Sequence, residues 1–159
     1  MIVIGYQGIG KRTLAKLSDK YIDLESGCFW VDGKRSEDWY KPYCKIAEHL
    51  SQQGYVVFTS SHQVVRDELK NSSEVVMCCA PALELKSYWT VKLKERYEES
   101  LLEKDFKAWK NAEDRYEENI KEMVDSGFPM IWIKEIPYNL EALLVEAKFN
   151  KENKDGTAE

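Results

Sequence analysis

The sequence predicts an α/β protein whose five-stranded parallel sheet is covered by helices on both faces. Three observations carry that expectation. Short apolar runs without polar alternation recur along the chain, as strands buried on both faces require. Between them lie segments whose apolar residues repeat at helical spacing. Glycine, proline or a capping residue stands at most of the junctions. The 159 residues, 43% of them hydrophobic, suffice for one domain with a core of its own.

The first strand is MIVIG, stopped by Gly5. A glycine-bearing loop leads into a helix over TLAKLSDK, with Leu14 and Leu17 expected to face inward. YIDLE, from Tyr21 to Glu25, is a short second strand, and SGCFWVDGK is a loop around two aromatics. Ser36 is placed to cap a helix over 37–53, where Trp39, Tyr43, Ile46, Ala47 and Leu50 fall at helical spacing. Gly54 ends that helix and YVVFTSS is the third strand.

The pattern then repeats. His62 to Lys70 is a short helix with Val65 and Leu69 on one face, and Glu74 to Ala80 is a fourth strand. Pro81 opens a long helical region to Ser126, broken near 101–105, and 84–126 carries 12 acidic against 9 basic residues, a largely solvated face. Phe128 to Glu135 is the fifth strand, and Asn139 caps a last helix bearing Leu140, Leu143, Leu144 and Ala147. One domain over 1–149 is expected, followed by a polar, disordered tail over 150–159.

A net charge of −5 argues against an extended nucleic-acid track, which needs a basic face, but not against a pocket for one nucleotide. Cys28, Cys44, Cys78 and Cys79 lack the spacing of a zinc or redox site, which fits a reduced, cytoplasmic setting. No run approaches the ~20 apolar residues of a membrane span, and the N-terminus has no signal-peptide pattern. A monomer or homodimer without membrane partners is expected.

The strongest chemical signal is Gly5-Tyr-Gln-Gly-Ile-Gly-Lys-Arg-Thr13, between the first strand and the first helix. It matches the G-x-x-x-x-G-K core of the P-loop, with Arg12 where Ser or Thr usually stands and Thr13 one step later. Gly8 and Gly10 allow a turn in which successive N–H groups point into one concavity, an anion nest. The following helix adds its positive dipole end. Residues Gly8, Ile9, Gly10, Lys11, Arg12 and Thr13 are therefore candidates to cradle nucleotide phosphates, with Lys11 reaching the β- and γ-phosphates.

On this loop, its size and its element order, the chain resembles the small P-loop kinases of nucleoside monophosphates and their shikimate and gluconate kinase relatives. Some of these, adenylate kinase included, carry Gly-Lys-Gly-Thr here, so a late Thr13 is not a broken motif. The resemblance spans about residues 1–149 and looks closest to bacteriophage kinases for deoxynucleotide supply. It implies transfer of the γ-phosphoryl of ATP, with Mg2+, to a (deoxy)nucleoside monophosphate. A kinase of another small metabolite, a slow ATP-binding regulatory module and a polynucleotide 5′-kinase are the alternatives.

The remaining candidates follow from that expectation. Asp23, at the second strand, would hold magnesium together with Thr13 or orient the acceptor; otherwise it is a turn or cap acid. The third strand ends in Thr59-Ser60-Ser61-His62 where the family often has an acid, which shifts weight to Asp23 and makes Ser60 a pocket residue. Arg66 is placed like the family's arginine for the acceptor phosphate, since its fork suits such a group. Lys92 and Arg96, four apart on one helical face, stand where the family has its lid, with Arg115 as a further candidate. Phe29 and Trp30 would stack on the acceptor base or simply anchor their loop, whereas Trp109, Tyr116 and Ile120 read as packing.

Overall fold

The computed structural model describes residues 1–156. Its strands are β1 (Ile2–Gly5), β2 (Tyr21–Asp23), β3 (Val56–Thr59), β4 (Val76–Pro81) and β5 (Met130–Ile133). They form one sheet in the order β2-β3-β1-β4-β5, and every pairing is parallel. β1, β3 and β4 are buried at every position, which is why they read as unbroken apolar runs.

The helices are α1 (Lys11–Leu17), α2 (Tyr40–Gln52), α3 (Gln63–Leu69), α4 (Lys86–Ser100), α5 (Glu103–Asp125) and α6 (Leu140–Gly156). The β1-to-β2 connection crosses the sheet in one direction and the next three run in the other. Right-handed crossovers therefore put α1 on one face and α2 to α5 on the opposite one. β1 and β3 are neighbours whose connections leave in opposite directions, which opens a crevice at their carboxyl ends.

Register places residues in that crevice. Ile4 lies opposite Thr59 and Asp23 opposite Phe58, so the glycine loop after β1, Asp23 and Ser60 emerge at one level. Tyr43 of α2 locks this edge: its hydroxyl donates to Leu24 O at 2.6 Å and accepts from Ser60 N at 2.9 Å. Asn139 caps α6 as expected, Oδ1 accepting from Ala142 N at 3.0 Å.

Several expectations are corrected. Leu17 is 78% exposed because α1 ends there, leaving Leu14 alone of the pair packed on the core. Ile46 is on the outer face of α2, and that helix starts at Tyr40, with no side-chain cap from Ser36. Pro81 is the last residue of β4 and does not open a helix. The break expected in the long helical region is present, at Leu101, in the left-handed region at φ 56°, and Leu102. The tail over 150–156 is not disordered but continues α6, where Lys151 and Asp155 pair at 3.5 Å one turn apart. The rest of that tail, 157–159, lies outside the described residues.

Candidate functional site

The loop from Tyr6 to Gly10 leaves β1 at the crevice, and its backbone carbonyls are tied from outside. Trp89 Nε1 donates to Gln7 O at 2.8 Å, and the Tyr138 hydroxyl donates to Ile9 O at 2.8 Å. The N–H groups from Gly8 to Thr13 have no backbone acceptor among the described residues. Gly8 and Gly10 have φ of +81° and +103°, which L side chains rarely adopt. A Cβ at Gly8 would also sit 3.0 Å from Leu93 Cδ2 and 3.2 Å from Trp89 Nε1, so α4 lies directly on the loop. Carbonyls turned outward and N–H groups left free are the arrangement that receives an anion.

This loop borders a cavity of about 510 Å³ lined by Gly8, Gly10, Lys11, Arg12, Thr13, Asp23 and Ser60 from the expected set, and by Lys92 and Arg96 from α4. The structure thus brings together most of the residues singled out from sequence. Ile9 contributes its backbone to the loop, its side chain being buried in the core. Sequence reasoning missed Lys16, Glu25, Lys104 and Asp105, which share the wall. Lys16 had a signal, since it stands one helical turn beyond Arg12; Lys104 and Asp105 had none.

Lys11 is the centre of charge. Its ammonium lies 3.4 Å from Gly5 O, and its stem occupies the space a Cβ at Gly5 would need, 2.8 Å from Lys11 Cδ. Burial pushes its pKa down, while the carboxylates of Asp23 and Glu25 pull it back up. The reverse holds at Asp23, where burial raises the pKa and Lys11 is the main opposing influence. The two groups line one cavity and favour each other's charged form without a direct ion pair.

Arg96 is held by the buried Asp105, Nε to Oδ1 at 2.9 Å, and Ser100 Oγ donates to the other carboxylate oxygen at 2.5 Å. A grip on Nε leaves both terminal amino groups of Arg96 without a hydrogen-bond partner among the described residues. Lys92 leans on an aromatic shelf, Nζ 4.6 Å from the Trp89 ring and 3.3 Å from the Tyr138 hydroxyl, and burial lowers its pKa. Arg115 borders no described cavity. It lies at a kink in α5 and pairs with Glu118 and Glu122 at 3.0 and 3.2 Å.

A second cavity of about 330 Å³ shares Gln7, Lys11 and Ser60 with the first. Arg66 borders it, but the side chain is buried and mostly committed. Nε donates to Ser61 O at 3.1 Å, and one amino group donates to Glu122 O and Ser126 Oγ at 2.6 and 2.9 Å. Its second amino group faces the Glu122 carboxylate at 3.6 Å. Arg66 therefore ties α3 to the end of α5. His62 also lines this cavity, hydrogen-bonded to Ser60 Oγ at 2.8 Å, its pKa lowered by burial and by Arg35, Lys11 and Arg66.

Phe29 and Trp30 line neither described cavity. Phe29 packs against Tyr43 and Trp39 at ring distances of 5.7 and 6.2 Å, which fits loop anchoring. Trp30 is half exposed and, with Trp39, sandwiches the Arg35 guanidinium at 4.9 and 4.1 Å.

No family model matches the chain, and no curated protein matches it. Among the described residues no helix is long and apolar enough to cross a membrane.

Proposed function

We propose that this protein is a phosphotransferase of the P-loop kinase type, moving the γ-phosphoryl of ATP to a nucleoside monophosphate. The observation that carries the reading is Lys11, which follows an outward-tied glycine loop and lines both cavities. A donor held in one cavity and an acceptor held in the other meet at the lysine they share. Transfer of a phosphoryl group requires little covalent help and much charge stabilisation.

The donor phosphates belong in the larger cavity, against the free N–H groups of Gly8 to Thr13 and the side chains of Lys11 and Arg12. Thr13 and Asp23 both border that cavity and fit a magnesium ion, whose role is to neutralise phosphate charge. The unpaired amino groups of Arg96 and the Lys92 ammonium stand over the same space and stabilise charge spread on the migrating group. Asp23 opposite Lys11 also suits a role in orienting the acceptor.

The test is a screen of purified protein with ATP and magnesium against common ribo- and deoxynucleoside monophosphates, following diphosphate product. Acceptor-stimulated release of ADP is expected with at least one of them. Absence of transfer to all of them would overturn the reading.

Asp105 acts here as a positioning residue for Arg96. Arg96→Ala is expected to lower kcat about 10²–10³-fold, the scale of one charge-stabilising donor. Asp105→Asn should cost less, and the double variant should lose no more than Arg96→Ala alone. Multiplicative losses in that cycle would show that Asp105 does not act through Arg96.

A further inference from the structure

We propose that the cavity between the β1 loop, the end of β3 and α5 binds the base of the acceptor nucleotide through Tyr6, Asn111 and Asn119. The inference rests on the phosphotransfer reading and adds to it the surface that reads the acceptor. Three observations support it.

The first is a buried hydroxyl. Tyr6 is 2% exposed and lines this cavity, yet its Oη makes no well-formed hydrogen bond among the described residues. The side-chain amides of Gln7 and Asn119 stand beside it but are outweighed by burial, which pushes the phenol up to about 12. A buried hydroxyl without a partner costs free energy that a bound acceptor atom would recover.

The second is an amide pair. Asn119 Nδ2 donates to Asn111 Oδ1 at 3.1 Å. That bond leaves Asn119 Oδ1 as an acceptor and Asn111 Nδ2 as a donor on two adjoining residues of the wall. Neighbouring donor and acceptor atoms are what the polar edge of a nucleobase presents in return. Residues eight apart on a straight α-helix are separated by ~12 Å along its axis. Their contact here coincides with the break in α5 at Arg115, whose φ and ψ of −135° and 25° are not helical.

The third is the chemistry of the wall. Beyond Lys11, the cationic Arg66 is largely used up by Ser61, Glu122 and Ser126. What remains around Asn111 and Asn119 is polar, with Gln7 and Gln63, and the one carboxylate of the wall, Glu122, is paired with Arg66 and Arg115. Such a wall suits an uncharged heterocycle, with the nucleotide's phosphate directed toward Lys11.

The test is calorimetric titration of the full chain, with magnesium and a saturating non-hydrolysable ATP analogue present. The ligands are the four deoxynucleoside monophosphates and, as a base-free probe, deoxyribose 5-phosphate. At least one monophosphate is expected to bind about 10–100-fold more tightly than the probe, as one or two base-edge contacts provide. Asn119→Ala and Asn111→Ala should erase that preference and leave affinity for the ATP analogue unchanged. Tyr6→Phe, which keeps the ring in place, should reduce it. Variants that retain the full preference, a probe that binds as tightly as every monophosphate, or an analogue that displaces the monophosphate would each overturn the proposal. Base-dependent binding that Asn119→Ala erases, found in a protein that transfers no phosphoryl group, would keep this site and reject the kinase reading.

Discussion

Lys11→Ala is expected to lower kcat by at least about a thousandfold while leaving the protein as stable as before, or more so. The activity side follows from position: no other cation borders both described cavities. Removing a single group that meets developing charge in a water-poor site costs about 10²–10³, and a group shared by donor and acceptor costs more. The stability side follows from the sign of the pKa shift. Burial lowers the Lys11 pKa, so the folded state binds its proton less well than the unfolded chain does. The charged lysine is then a net cost to folding near neutral pH, and alanine removes that cost. Alanine gives up only the long 3.4 Å contact of the ammonium with Gly5 O. Thermal melting beside an ADP-release assay checks both halves. Retained activity would contradict the role of the ammonium, and a collapsed melting temperature would show that Lys11 holds the fold instead.

That combination of a stable fold and a costly charge is typical of a site, and it explains what sequence could show. Short strands buried on both faces announce themselves as apolar runs, so β1, β3 and β4 were legible. The glycine loop was legible because its parts are contiguous: the turn, the lysine and the helix that follows. The contacts of Arg66 and Asp105 were not legible, since each depends on where distant elements dock. Arg66 looked like a ligand-gripping arginine, but the end of α5 packs against it and takes most of its donors. Asp105 looked like one acid in a charged helix, but the break after Ser100 folds it under Arg96. The Asn111–Asn119 pair depends on the kink at Arg115, which no spacing rule for a straight helix foretells. Leu17 and Ile46 erred the other way, because an apolar residue on a helix need not face the core when the helix is short or flanked by loop.

Trp89 offers the largest expected effect on stability, and the way to separate fold from site. Its ring is fully buried, stacks on Tyr138 at 6.0 Å, and has the Lys92 ammonium 4.6 Å from its centroid. Trp89→Ala is expected to destabilise by about 3–5 kcal/mol, the range for deleting a buried aromatic. In a chain of this size that lowers the melting temperature by roughly 6–20 °C. The change also frees the Gln7 carbonyl and opens the space against Gly8, so loss of ATP binding would accompany it. Trp89→Phe distinguishes the two contributions. Phenylalanine fills most of the volume but cannot donate to Gln7 O, which removes one hydrogen bond at a cost of about 1–2 kcal/mol. With the carbonyl untied, the loop no longer holds its N–H groups toward the donor phosphates. Trp89→Phe should therefore raise the KM for ATP severalfold at nearly unchanged kcat, in a protein that still melts cooperatively. Urea midpoints and initial rates measured on the same preparations check this. A Trp89→Phe protein with unaltered KM would mean that the tie from α4 to the loop supports the fold alone, and that Tyr138 and the glycine backbone suffice to shape the phosphate cradle.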